Sequence, residues 1–180
     1  MKEKTCKICK TRFKPFRALQ TVCSIQCANE YTKRATIKRE QQKKSDWNKE
    51  KKARKEKLMS KSDWEQLLQK VFNTYIRKRD EGKPCISCGT TAKVQYDAGH
   101  YRSVGAHPEL RFNELNVHRQ CRKCNSYWGG NLIDYRINLV KLIGLEKVEW
   151  LEGKHESLKL TIPEIQELIK EYKEKVKKLS

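Results

Sequence analysis

No stretch of the chain approaches the roughly 18 consecutive apolar residues that suggest a membrane span. No charged-then-apolar segment of the secretory type opens it either. Both absences predict a cytoplasmic protein with no membrane partner. Hydrophobic residues make up 37% of the 180 and charged residues 35%, so burial is available but a large core is not. Internal repeats are lacking, and no heptad of apolar positions runs through the basic stretch. Acidic residues are scarce mainly at one end. Residues 1–61 hold 6 Asp or Glu against 20 Lys or Arg, a balance of +14; the remainder holds 16 against 21, a balance of +5. Those early charges are not interleaved with enough bulky apolar residues to form a membrane-inserting face. The net charge of +19 and pI near 9.7 therefore point to a nucleic-acid partner.

Cysteine, by contrast, is plentiful and ordered. Cys6, Cys9, Cys23 and Cys27 read C-x2-C-x13-C-x3-C, and Cys85, Cys88, Cys121 and Cys124 read C-x2-C-x32-C-x2-C. A C-x2-C pair presents two thiolates from one tight turn to one tetrahedral ion. In a reducing compartment such pairs predict metal ligands rather than disulfides. Two structural Zn2+ sites are expected, and their binding energy would supplement a small core.

The chain divides into three segments on this reading: a four-cysteine zinc module over 1–32, a basic helical arm over 33–61, and a larger zinc-containing domain over 62–180. The first module is either a purely structural finger or one that touches DNA or protein. Cys23 and Cys27 are spaced as on the first turn of a helix, with Ser24 near the capping position. Residues 33–61 hold 13 basic and 4 acidic residues in strong helix formers. The arm forms no core; it is either a solvated linker or a helix along the phosphate backbone that binds by counterion release. Its candidate DNA contacts are Lys33, Arg34, Lys38, Arg39, Lys43, Lys44, Lys51, Lys52, Arg54 and Lys55.

In the larger domain Ser62 and Glu65 read as a capping box, followed by Trp64, Leu67, Leu68, Val71, Phe72, Tyr75 and Ile76 at helical spacing, with Gly82 and Pro84 ending the helix. Lys93–Ala98 alternates as a strand, 102–115 reads as a loop, and Asn116–Gln120 as a short strand into Cys121. Helices are expected at about 132–143, about 146–152 and from Thr161, where Thr161 and Glu164 form a second capping box. The fold class is α+β.

Between and beside the second cysteine pairs lie the residues of a hydrolytic device. Phosphodiester hydrolysis needs an activated water, a cation on the phosphate, and a group that orients the base. His100 stands at a predicted strand end near a carboxylate, and an ordinary imidazole pKa near 6.5 suits base work. Asn116 could hold that imidazole by hydrogen bonding, and Asn125 could aim an amide oxygen at the same spot. Oxygen donors suit Mg2+ or Mn2+. Arg102 and Arg111 could clamp phosphates, although either could equally pair with Glu109 or Glu114. His118 could reach the site or serve as a structural hydrogen bonder, and Asn131 could cap a helix or touch metal or DNA. His107 and His155 read as loop surface, and Tyr127 and Trp128 as core.

The string NVHRQCRKCN, with His100 sixteen positions before Asn116 and Asn125 nine after it, resembles the His-Me finger (HNH-type) endonucleases. The resemblance implies a zinc-bound ββα nuclease module with His100 as general base, Asn116 orienting it and Asn125 binding the catalytic metal. The segments RKRDEGKPCISCGT, YDAGHYR, LRFNELNVHRQC and GGNLIDYR, together with the order of cysteine quartet, basic stretch and nuclease module, narrow the similarity to the phage NinG (Rap) family of recombination endonucleases. That resemblance implies a phage-encoded enzyme in the host cytoplasm that cuts branched DNA such as D-loops and Holliday junctions. Two positions depart from the pattern. Gly99 stands where an acidic ligand often precedes the base, so Asp97, facing the same way on a strand, is expected to replace it. Trp128 stands where lysine is frequent, losing a charge or gaining a stacking surface. The competing expectations are a non-catalytic zinc-dependent DNA-binding recombination or regulatory protein, and an RNA-binding or RNA-processing protein. A homodimer is a further expectation, since two cuts on a two-fold junction suit a two-fold enzyme.

Overall fold

Helical segments dominate because most of the sequence is Lys, Arg, Glu, Gln, Leu and Ile in runs unbroken by proline. The computed structural model describes residues 2–179, which fall into two compact units, one ending at Leu58 and the other beginning at Met59.

In the first unit, strands β1 (Lys4–Thr5) and β2 (Arg12–Phe13) pair antiparallel around the Cys6–Cys9 knuckle, which the Cys6 N–H closes on the Thr11 carbonyl at 2.9 Å. Helix α1 runs Ile25–Lys57, and the Ser24 hydroxyl caps it by accepting from the Cys27 N–H at 3.2 Å. The boundary expected at residue 32 falls inside this helix, so zinc module and basic arm share one element. At 1.5 Å per residue its 33 residues extend about 50 Å. None of them is buried. Cys27 and Tyr31 tie the first turns to the cysteine quartet and to Lys7; local bonds hold the rest, among them the i,i+4 pairs Arg34–Glu30 and Arg54–Glu50, each contributing about 0.3–0.5 kcal/mol.

The second unit is built on a two-stranded antiparallel sheet, β3 (Tyr96–His100) with β4 (Val117–Cys121), in the register His100 to Val117 and Tyr96 to Cys121. Pairing starts two to three residues later than the alternation of 93–98 suggests. The second cysteine quartet explains the offset: Cys121 must face Cys85, and the Ile86 N–H donates to the Arg119 carbonyl at 3.0 Å. One sheet face, through Ala98 and Val117, packs on Leu68, Phe72 and Ile76 of α2 (Lys61–Arg79) and Ile165 and Ile169 of α5 (Ile162–Lys178). The other meets α3 (Leu132–Ile143), whose buried Tyr135 donates its hydroxyl to the Gly99 carbonyl at 2.9 Å. Tyr135 and Leu139 form a second core with Val148 and Leu151 of α4 (Leu145–Glu152) and with Tyr101 and Leu110 from the β3–β4 loop.

The capping boxes divide. Thr161 and Glu164 cap α5 as expected, but α2 starts two residues early, with Ser60 and Asp63 forming the box in place of Ser62 and Glu65. At the far end of α2 the buried Asp80 carboxylate joins Arg79, Lys83 and the Arg119 N–H. Burial alone would raise its pKa, yet the Arg79 and Lys83 cations hold it down at about 2. This knot ties helix to sheet. No helix among the described residues is long and apolar enough to cross a membrane.

Candidate active site

Each cysteine quartet brings its four sulfurs within 4.8 Å of one another. Four thiolates about 2.3 Å from a zinc ion lie about 3.8 Å apart along a tetrahedron's edges. The Cys88–Cys121 separation of 3.8 Å and the Cys23–Cys27 separation of 3.7 Å match that edge. Burial, then the neighbouring Cys88 and Cys121, push the Cys124 thiol up to about 12, so four thiolates coexist here only around a cation. Both quartets could therefore hold a zinc ion.

Cys124 lies within a π-helical turn, Lys123–Tyr127, closed by the Trp128 N–H on the Lys123 carbonyl at 2.9 Å. Asn125 thus stands on a π turn rather than at the start of an α-helix, and such turns are frequent at functional sites. Gly129, Gly130 and Asn131 then follow with φ of 54°, 94° and 43°. The Gly130 N–H returns to the Cys124 carbonyl at 2.9 Å, and Asn131 donates to the Cys124 sulfur at 3.8 Å and to Asp134 at 2.9 Å.

His100 and Asn125 line one cleft of about 650 Å³. Its other walls are Gln69 and Asn73 from α2, Arg102, Ser103 and His107 from the β3–β4 loop, and Gly129 and Gly130. His100 Nε2 lies 3.0 Å from the Arg111 carbonyl oxygen. A carbonyl only accepts, so Nε2 carries the proton and Nδ1 holds the basic lone pair. Burial, and secondarily the Arg111 charge, lower its pKa despite the Arg111 and Ala98 carbonyls. The imidazole is accordingly neutral at neutral pH and able to accept a proton.

Asn116 does not hold that imidazole. It is fully buried, its Oδ1 accepts from the Arg102 N–H at 2.7 Å, and its Nδ2 donates to the Arg102 and Leu110 carbonyls at 3.0 and 3.1 Å. It closes the β3–β4 loop on itself and fixes the residue next to Arg111, whose carbonyl then orients His100. Asp97 is not brought to the cleft either. It lies three residues before His100, an odd offset on a strand, and its cross-strand partner is Gln120. Among the described residues, no carboxylate lines the cleft. Its oxygen donors are the amides of Asn125, Asn73 and Gln69, the Ser103 hydroxyl and backbone carbonyls, so a Mg2+ or Mn2+ would take most of its ligands from phosphate and water.

The two loop arginines separate. Arg102 faces the cleft with Nη2 2.6 Å from His107 Nε2, and His107 Nδ1 lies 3.1 Å from Glu109. Arg111 turns away to Gln69 at 2.7 Å and Glu65 at 3.6 Å on α2, so its side chain is a brace and only its carbonyl serves the site. His118 lies cross-strand from Gly99, and burial, with the Arg79 charge, lowers its pKa to about 4. It contacts Arg79 and the Leu115 carbonyl, as a structural residue would. Gly99 is required by space: a Cβ there would sit 2.2 Å from Gln120 Oε1 and 2.8 Å from Gln120 Cβ.

A family model described as "Bacteriophage Lambda NinG protein" matches residues 1–180. The chain belongs to the NinG family. It is 38% identical over 185 aligned residues to protein ninG of Escherichia phage 933W, covering 97% of this chain and 92% of that protein. It is 46% identical over 128 residues to protein ninG of Escherichia phage lambda, covering 71% of this chain and 63% of the lambda protein's length. No solved structure matches the chain significantly.

Within this NinG-family chain, the cleft contains residues that sequence reasoning did not assign. Gln69 and Asn73 bond each other at 2.7 Å and reach the cleft only because α2 packs across the sheet. His107, expected on a loop surface, lies between Glu109 and Arg102, and its H-x-E spacing was the one available signal. Tyr127 and Trp128, expected in the core, are 82% and 47% exposed.

Proposed function

We propose that this NinG-family chain is a metal-dependent DNA endonuclease of the His-Me finger type that cuts branched recombination intermediates such as D-loops and Holliday junctions. The observation that carries this reading is the convergence of His100 and Asn125 on one cleft beside a tetrathiolate centre. His100, neutral and with its lone pair on Nδ1, takes a proton from the attacking water. The Arg111 carbonyl and the Asn116 clamp keep the ring oriented, and Arg102, steadied by His107 and Glu109, meets a non-bridging phosphate oxygen. Asn125 would help hold a Mg2+ or Mn2+ ion, which supplies charge stabilisation at the leaving oxygen. Both quartets would carry zinc. The exposed cations of α1 would supply salt-sensitive affinity; they circle the helix axis rather than forming one stripe, so phosphates could approach several faces.

The test compares wild-type protein and His100→Ala on matched duplex, four-way junction, D-loop and structured RNA, with Mg2+ and with Mn2+. Cutting of branched DNA by the wild type, lost in the variant while binding persists, is expected. A wild type that binds but never cuts, or a variant that cuts equally well, would establish a non-catalytic zinc DNA-binding protein instead. Preferential cutting of RNA would overturn the substrate assignment.

A further inference from the structure

Tyr127 is the most exposed aromatic residue of the second unit, at 82%, and its side chain makes no hydrogen bond or ring contact among the described residues. Trp128 beside it is half exposed, with the Lys123 ammonium 4.5 Å from its ring centroid. Two adjacent solvent-facing aromatics are costly to leave uncovered, and here they have a rigid mount. The π turn ends on Tyr127, Trp128 caps it, and three residues of positive φ follow them. The Trp128 carbonyl accepts the Asn131 N–H at 2.9 Å, and the next turn is tied to Cys124. The two glycines take positive φ freely, and the left-handed Asn131 is held by its bonds to Cys124 and Asp134. The mount lies between cleft residues, with Asn125 two positions before Tyr127 and Gly129 directly after Trp128.

We propose that Tyr127 and Trp128 form a platform on which an unpaired nucleobase stacks, next to the phosphate held in the cleft. An aromatic face accepts any base; the Lys123 ammonium lies over one face of the Trp128 ring, 4.5 Å from its centroid, which leaves the Tyr127 ring and the opposite Trp128 face for the base and sets a cation beside the adjoining phosphate. Bases in continuous duplex are stacked on their neighbours and cannot occupy the platform, whereas bases at a branch point can. The platform therefore selects branched over continuous DNA without reading sequence. It rests on the DNA-cutting reading above and names how that site chooses its substrate. The apolar side chains of Ile133 and Ile137, also exposed, make a second copy of this chain the rival occupant, but the Lys123 cation over the Trp128 ring favours an anionic partner.

The experiment uses the full-length zinc-loaded chain without divalent catalyst, so that binding is read apart from cutting. Its probes are a forked DNA with 2-aminopurine at the branch and a continuous duplex of equal length. Tyr127→Ala and Trp128→Ala should each weaken fork binding by about tenfold, within the range of single stacking contacts, and change duplex binding less than twofold. Tyr127→Phe should behave as wild type, because stacking needs the ring and not the hydroxyl. Wild-type protein should quench the 2-aminopurine or shift its emission, and the alanine variants should not. Equal losses on both DNAs, no loss on either, or loss of self-association in light scattering would overturn the platform while leaving the nuclease reading intact. A wild type that binds neither DNA would overturn both.

Discussion

Replacing Asn116 by alanine tests whether this residue is a loop clamp. The wild-type amide makes three hydrogen bonds, to the Arg102 N–H and to the Arg102 and Leu110 carbonyls, from a fully buried position. Alanine removes all three and leaves the Arg102 N–H and the Arg102 carbonyl short of a partner, while the Leu110 carbonyl keeps the Asn113 N–H at 3.1 Å. Each bond contributes about 1 kcal/mol net, and an unsatisfied buried group costs about 1–3 kcal/mol. Water can reach some of the vacated space, and the bonds are coupled, so a total near 3 kcal/mol is expected. At about 4 °C per kcal/mol for a unit of this size, the second unit's melting temperature should fall by about 12 °C. Asn116→Asp should be no better, since it keeps the acceptor but sets a carboxylate against two carbonyl oxygens. Urea denaturation with zinc present measures the loss directly. A variant within about 0.5 kcal/mol of wild type, yet inactive, would refute the clamp and restore direct contact with the imidazole.

Three other outcomes are expected. Gly99→Ala should cost about 2 kcal/mol through overpacking, because Gln120 is pinned by Ser87 and Gly130 and cannot retreat; in a Gln120→Gly background, which removes both the Oε1 and the Cβ contact, the same substitution should cost little, and a cycle with no coupling would refute the steric account. Acid should destabilise the second unit in two stages: His118 has its folded pKa lowered to about 4 from 6.5, so its contribution is complete above pH 6.5 and is lost as pH falls toward 4, by up to about 3 kcal/mol, and Asp80, held at about 2 against 3.8, loses its contribution as pH falls through that lower window. His118→Asn should flatten the first stage in urea titrations at pH 7 and 4.5, and an unchanged slope would count against it. Elemental analysis should find two zinc ions per chain, and Cys124→Ser should abolish one of them together with the near-ultraviolet circular dichroism of the second unit, whereas retention of both ions would refute the quartet assignment.

What the sequence made legible was local. Cysteine spacing within each pair, the Thr161–Glu164 box, the helix at 132–143 and the position of His100 beside a strand end each depend on a few neighbouring residues. Even local signals collide: Ser60-x-x-Asp63 and Ser62-x-x-Glu65 overlap, and the chain uses the first. Strand pairing began late because the distant Cys85 knuckle sets the position of Cys121. The cleft was half legible. His100 and Asn125 follow from the zinc framework, but Gln69 and Asn73 arrive from a helix about thirty residues upstream. Asn116 was noticed for the right reason, its hydrogen-bonding amide, and matched to the wrong partner: although His100 pairs with the adjacent Val117, the amide turns to the two carbonyls and the N–H that its own loop must bury. Tyr127 and Trp128 look like core residues by composition, and only the run of positive φ behind them explains why they face water.

One peptide bond separates Cys124, a sulfur of the tetrathiolate, from Asn125, a wall of the cleft. No shift of that ion's seat can leave the wall where it was. Zinc held by that quartet would therefore set the shape of the cleft as well as the stability of the fold, and a nascent or zinc-starved molecule would lack the wall on which Asn125 stands.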